Sequence, residues 1–307
     1  MGPKGHLSRV RMPELLTILP PPEQRKRLHR ELRVPLDVRL PSPPTALLKL
    51  QRLFRDPNVN FRKLADAIAL DPAISASVLR LARSPLFGLA RPPRTLVQAV
   101  ASIGIAELER MVLTQLAVQT LAASPPALEL FLQEAYATAL ITRSLCRRHE
   151  PLLDPGLAWP AGLLYDIGKL LRLTLKPAED EEIRRAMLIG ACTYTTAEAS
   201  LSLQDQHLLG ASLLYKWQLP LIYVDVALYG EREDPMAWPG TQESLALRRI
   251  VSAASSLRGV TRERTSAEER AKNQARAQEL LKLGEEAFLA EMAVVYQLLP
   301  SVKTLLG

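Results

Sequence analysis

Apolar positions recur along this chain in a helical rhythm. Leu47, Leu48, Leu50 and Leu53 form a stripe whose three-to-four spacing gathers side chains on one helix face. Further starts are marked by a side-chain acceptor placed to satisfy the bare N–H groups of a first turn. Asn60 precedes a predicted helix over Phe61–Leu70. Asp71 precedes Pro72, whose fixed φ suits a first helical position, and Ala73–Arg83 then carries Ile74, Val78, Leu79 and Leu81. Thr95 and Gln98 have capping-box spacing for a short helix ending at Gly104. Longer helices are predicted over Ile105–Leu121, Pro126–Arg148 and Leu157–Leu175, then through His207–Trp217 and Pro220–Tyr229.

Both ends differ in texture. From Met1 to about Val34 the chain mixes Pro20, Pro21 and Pro22 with basic residues, and one short helix is expected over Pro22–Leu32. From Arg248 onward, Ser266 with Glu269 caps a heavily charged helix that Gly284 ends, and a last helix carries Phe288, Met292, Val295 and Leu298 before Pro300. The expected division is a leader over residues 1–34, a folded domain over 35–235 and a packed helical extension over 236–307. Sustained strand alternation and solenoid-length repeats are both missing, so the expected fold class is all-α. Composition agrees: 48% of residues are hydrophobic but only 5% aromatic, with Leu and Ala dominating, which suits interdigitating helices.

Two cysteines, Cys146 and Cys192, are too few for a disulfide framework and lack the paired spacing of a zinc site, so a reducing, cytoplasmic setting is expected. Neither a membrane-length apolar run nor a signal peptide is evident, and His6 stands where a myristoylation signal wants Ser or Thr. The net charge of +7 is uneven. Up to Arg39, nine cations (Lys4, Arg9, Arg11, Arg25, Lys26, Arg27, Arg30, Arg33, Arg39) face four acids (Glu14, Glu23, Glu31, Asp37). Arg25, Lys26, Arg27, Arg30 and Arg33 are therefore candidate nucleic-acid contacts, but a solvated helix face is the favoured reading, because no aromatic residues interleave with them.

Several stretches, taken in order, resemble a bacterial signalling family, the HDOD domains, over roughly residues 35 to 235. Leu40-Pro41-Ser42-Pro43-Pro44 resembles its Pro-rich entry, and Ile68-Ala69-Leu70-Asp71-Pro72-Ala73-Ile74-Ser75 its Asp-Pro helix pair. Thr95-Leu96-Val97-Gln98-Ala99-Val100-Ala101-Ser102-Ile103-Gly104 follows, then Gly162-Leu163-Leu164-Tyr165-Asp166-Ile167-Gly168-Lys169, and His207, Gly210 and Trp217-Gln218-Leu219-Pro220 close the match. Arg83 replaces the Asn that the family usually shows before Ser84. The resemblance implies a helical regulatory module related to metal-dependent HD phosphohydrolases.

In those enzymes a His, an adjacent His-Asp pair and a later Asp hold metal ions that activate water against phosphate. Here Tyr165 stands in the His-Asp pair, Glu134 or its neighbour Ala135 where the earlier His is expected, and Gly230 and Glu231 where some relatives carry paired histidines. Asp166 alone is intact. The resemblance thus implies a degenerate site of Glu134, Tyr165, Asp166, His207 and Glu231, with no catalytic residue, metal or cofactor expected. Helical periodicity puts Asp166 beside the apolar stripe of Leu163, Ile167 and Leu170, so it needs a partner, for which Arg143, Lys169 and His207 are candidates. Tyr165 is expected to fill the vacated space with its hydroxyl on Asp166 or Glu134. His207 suits a cap or a buried hydrogen bond, and His149 the negative end of a helix. The expected function is regulation through a protein partner or a small nucleotide; a divergent phosphohydrolase using Glu134, Asp166 and Glu231, and a nucleic-acid-binding regulator, are the alternatives.

Overall fold

The computed structural model describes residues 21–33, 36–83, 91, 93–121, 125–190, 192–230, 232, 234–262 and 265–306. Among them the regular structure is helical: α1 (Pro21–Glu31), α2 (Thr45–Phe54), α3 (Phe61–Ala69), α4 (Pro72–Arg83), α5 (Leu96–Ile103), α6 (Ile105–Thr120), α7 (Pro125–His149), α8 (Pro155–Leu164) and α9 (Ile167–Leu175). There follow α10 (Pro177–Gly190), α11 (Tyr194–Ser200), α12 (Gln206–Lys216), α13 (Leu221–Tyr229), α14 (Gln242–Thr261), α15 (Ala267–Leu281), α16 (Glu285–Leu298) and α17 (Pro300–Leu306).

The predicted caps do their work. Asn60 Oδ1 accepts from Lys63 N at 3.0 Å and Asp71 Oδ1 from Ile74 N at 3.1 Å. Ser266 Oγ accepts from Glu269 N at 3.1 Å. Thr95 Oγ1 accepts from Gln98 N at 3.2 Å, but Gln98 Oε1 reaches back past Thr95 to Arg94 N, at 2.9 Å, so the box closes one residue early.

Three expectations change. The helix over Leu157–Leu175 is two helices, because the chain breaks at Tyr165 and at Asp166, whose φ of −103° and ψ of 13° leave the helical region. The apolar periodicity runs through the break, and close packing of α9 on α12 overrides it. Pro300 opens α17 in place of ending the chain's helical part, as a missing N–H costs nothing in a first turn. Residues 177–200, for which no helix was expected, hold α10 and α11, although Pro177 with Glu179 and Asp180 in the first turn is a usable start signal.

Most of the core is one continuous cluster running from Leu28 to Leu305, and a smaller one of Ile183, Tyr194 and Ala197 lies between α10 and α11. Trp159 and Trp217 are the largest buried side chains, and Trp217 Nε1 donates to Pro41 O at 3.0 Å, tying the Pro-rich entry to the end of α12. Helix α7 packs on α8, α12 on α9 and α13, and α14 on α7, α8, α13 and α15. That arrangement brings α7, the α8–α9 break, the start of α12 and the far half of α14 around one point.

Candidate functional site

The break between α8 and α9 is shaped by two glycines. A Cβ on Gly168 would lie 1.8 Å from the Gln206 carbonyl oxygen, and one on Gly210 would lie 2.8 Å from Gly168 N. Only glycine lets α9 meet α12 this closely, and the contact swings Asp166 off the helical path toward the start of α12.

Asp166 is 3% exposed. Of its three expected partners, Lys169 is the one that pairs with it, Nζ to Oδ2 at 2.7 Å. His207 reaches it through a neighbour: Gln206 Nε2 donates to Asp166 Oδ1 at 3.3 Å and lies 2.9 Å from His207 Nε2. Arg143 pairs instead with Glu107. His207 is buried, with Nδ1 3.0 Å from Ala227 O, which fixes that nitrogen as the donor.

Tyr165 is 1% exposed, and its hydroxyl partners differ from those expected. It accepts from Arg258 Nη2 at 3.0 Å and lies 3.3 Å from Ser255 Oγ, both on α14. Glu134 enters through the same arginine, with Arg258 Nη1 2.9 Å and Arg262 Nη2 2.5 Å from its carboxylate. The Glu134 side chain is about half exposed; crowding by the protein pushes its carboxyl up, but Arg258, Arg262 and Lys169 outweigh that and hold it at about 2. The result is a polar chain in which His207, Gln206, Asp166 and Lys169 lead toward Glu134, Arg258 and Tyr165. Glu231 lies outside the described residues.

Gln206, Ser255, Arg258 and Arg262 were not singled out by sequence reasoning. The last three stand beyond residue 235, where no motif marks them, and only the packing of α14 reveals their role. Gln206 precedes His207 and carries no signal of its own.

Among the described residues the donor set does not fit a divalent metal. Among the described residues no three His, Cys, Asp or Glu side chains converge on a point that could hold an ion. An ammonium sits on Asp166 and two guanidiniums sit on Glu134. A cation entering here must displace other cations, and the phenol of Tyr165 is a poor substitute for an imidazole ligand.

The remaining predicted contacts separate. Arg25, Lys26, Arg30 and Arg33 are exposed. Arg27 is not available to a nucleic acid, since it is 6% exposed and ion-paired with the buried Asp225. His149 Nε2 lies 2.8 Å from Glu291 Oε1, so the end of α7 is tied to α16.

A second buried charge centre was also missed. Arg172, 1% exposed, pairs with Glu179 at 2.8 Å and Glu198 at 2.6 Å and donates to Gln204 O. Burial pushes the Glu198 carboxyl up to about 7, against the pull of the Gln206 N–H and Arg172.

Known proteins share this architecture. A crystal structure of an HDOD domain protein of unknown function from Geobacter sulfurreducens superposes with a TM-score of 0.67 at 23% identity, covering 92% of this chain and 98% of that one. A candidate phosphohydrolase of Shewanella amazonensis SB2B gives 0.65 at 21% identity, covering 91% and 97%. An uncharacterized protein of Treponema pallidum (strain Nichols) is 22% identical over 184 residues, 59% of this chain but only 35% of that protein's length. The HDOD domain model matches residues 40–232, and with the fold and the placement of the Tyr165–Asp166 break, this chain belongs to the HDOD domain family.

Proposed function

We propose that this chain is a non-catalytic regulatory module of bacterial signalling, working in the cytoplasm by docking a protein partner or a small nucleotide. The observation that carries the reading is the exchange of charge at the old metal site. Where an HD phosphohydrolase needs nitrogen donors around a cation, Lys169, Arg258 and Arg262 neutralise Asp166 and Glu134. The site is spent on cohesion, tying α7, α9, α12 and α14 together. Two unpaired cysteines fit a reducing compartment, and no helix of the described residues is long and apolar enough to cross a membrane.

Two measurements together test it: elemental analysis of protein purified without chelator, and hydrolysis of a chromogenic phosphodiester with added manganese or magnesium. The expected result is substoichiometric metal and no turnover. Stoichiometric metal with turnover abolished by Asp166→Ala would establish the rival reading, a divergent phosphohydrolase, which the name of the Shewanella amazonensis neighbour favours.

A further inference from the structure

Helix α1 is sharply divided. At 100° per residue, Arg25, His29, Arg33, Lys26 and Arg30 fall within an arc of about 140°, and all five are exposed. Arg33 lies just past the helix end, its N–H 3.3 Å from Arg30 O, and so stays on the same face. The opposite arc holds Leu28, fully buried, and Arg27, which pairs with Asp225 and lies 4.8 Å from the centroid of the Tyr229 ring. Arg248 grips both oxygens of Asp225, at 2.6 and 2.7 Å. This anchor fixes the roll of α1 on α13, so the outward cations form a held array.

In sequence the leader lacks aromatic residues among its cations, but the fold supplies one. Tyr215 of α12, half-buried, has its hydroxyl 3.1 Å from His29 Nδ1, with the two ring centroids 6.1 Å apart. Arg33 Nη2 lies 2.8 Å from His29 Nε2, and the exposed Lys216 follows Tyr215 directly. Lys26 is partly offset by Glu23, 2.8 Å away. Cations and a π face thus stand side by side, the combination that tracks phosphates while a base stacks. The same face does not suit a lipid surface, since an interfacial helix turns its apolar side outward and Leu28 is buried.

We propose that this face binds single-stranded nucleic acid, with Arg25, Arg30 and Arg33 on phosphates, Lys216 extending the track and a base against Tyr215. This goes beyond the regulatory reading and is independent of the site at Asp166. The test is fluorescence anisotropy of the full chain with a labelled oligouridylate of about twenty residues. Four phosphate contacts on a single strand predict that affinity falls about 50-fold between about 50 and about 200 mM salt. Arg25→Glu combined with Arg30→Glu should weaken binding at least about tenfold, whereas Arg25→Lys with Arg30→Lys should stay within about threefold. Tyr215→Leu should lose about fivefold or more with the salt slope unchanged, which separates stacking from charge. Thermal melts of the variants check that each is folded. The proposal is overturned by an absence of binding at low salt, by a charge-reversed variant that binds like the parent, or by polyglutamate or phosphatidylglycerol vesicles binding the same residues as tightly as the oligonucleotide.

Discussion

Lys169 places its ammonium 2.7 Å from the Asp166 carboxylate, three residues before it in the chain, and both side chains are largely withdrawn from solvent. Lys169→Met leaves that carboxylate buried without its cation, at a cost of about 3 kcal/mol or more. Adding Asp166→Asn removes the stranded charge and should recover part of the loss. Urea denaturation of the two single variants and the double variant measures the coupling; additive losses would mean that the pair holds nothing.

Gly168 faces the Gln206 carbonyl with no room for a methyl group, the implied separation being 1.8 Å. Because the obstacle is backbone, Gly168→Ala should cost about 4 kcal/mol or more. Gly210→Ala, whose Cβ would meet Gly168 N at 2.8 Å, should cost less. Gly284→Ala, with nothing within 4 Å, serves as the control expected within about 0.5 kcal/mol of the parent. Thermal or urea denaturation that ranks the three otherwise would show that α9 and α12 can part.

How much of this was legible in the residues depended on the range of the interaction. Asn60, Asp71, Thr95 and Ser266 bind N–H groups three residues away, so spacing alone located their helices. The all-α class and the family were legible for a similar reason, being carried by local pattern and motif order. The break at Asp166 was not, because its cause is Gln206, 38 positions beyond Gly168 in the numbering. Arg258 contacts Tyr165 across a separation of 93 residues, and nothing in the composition of α14 distinguishes it from a solvated arginine. Arg27 was misread for the same reason: its partner Asp225 is 198 residues away.

The Asp225 centre offers a graded test. Arg248 contributes two hydrogen bonds to Asp225 and donates to the carbonyls of Trp238 and Pro239, at 2.7 and 3.1 Å. Arg248→Met should therefore cost about 3–5 kcal/mol, by leaving a fully buried carboxylate short of donors. Arg27→Met should cost less, as Arg248 still serves both oxygens, but should loosen α1 selectively. Hydrogen exchange over residues 21–33 rising without a comparable rise in α13 is the expected signature, and uniform exchange across both would refute it.

Stability should depend on pH in opposite senses at two carboxylates. Glu134, though about half exposed, is held at about 2, below its ordinary 4.5, chiefly because Arg258 and Arg262 sit on its carboxylate and outweigh its desolvation. Its unfolded state binds the proton more readily, so its contribution is complete above about 4.5 and is lost as pH falls toward 2. Glu198 is raised to about 7 by burial, so its contribution is complete below about 4.5 and is lost as pH rises through 7. Denaturation midpoints against pH for the parent, Glu134→Gln and Glu198→Gln resolve the two. The Glu134→Gln curve should lie below the parent near neutrality and meet it in acid. The Glu198→Gln curve should close its gap, or cross above the parent, as pH passes 7. Parallel curves for either variant would mean that its carboxyl has the same proton affinity folded and unfolded, and that the arginines around it are too well solvated to act on it.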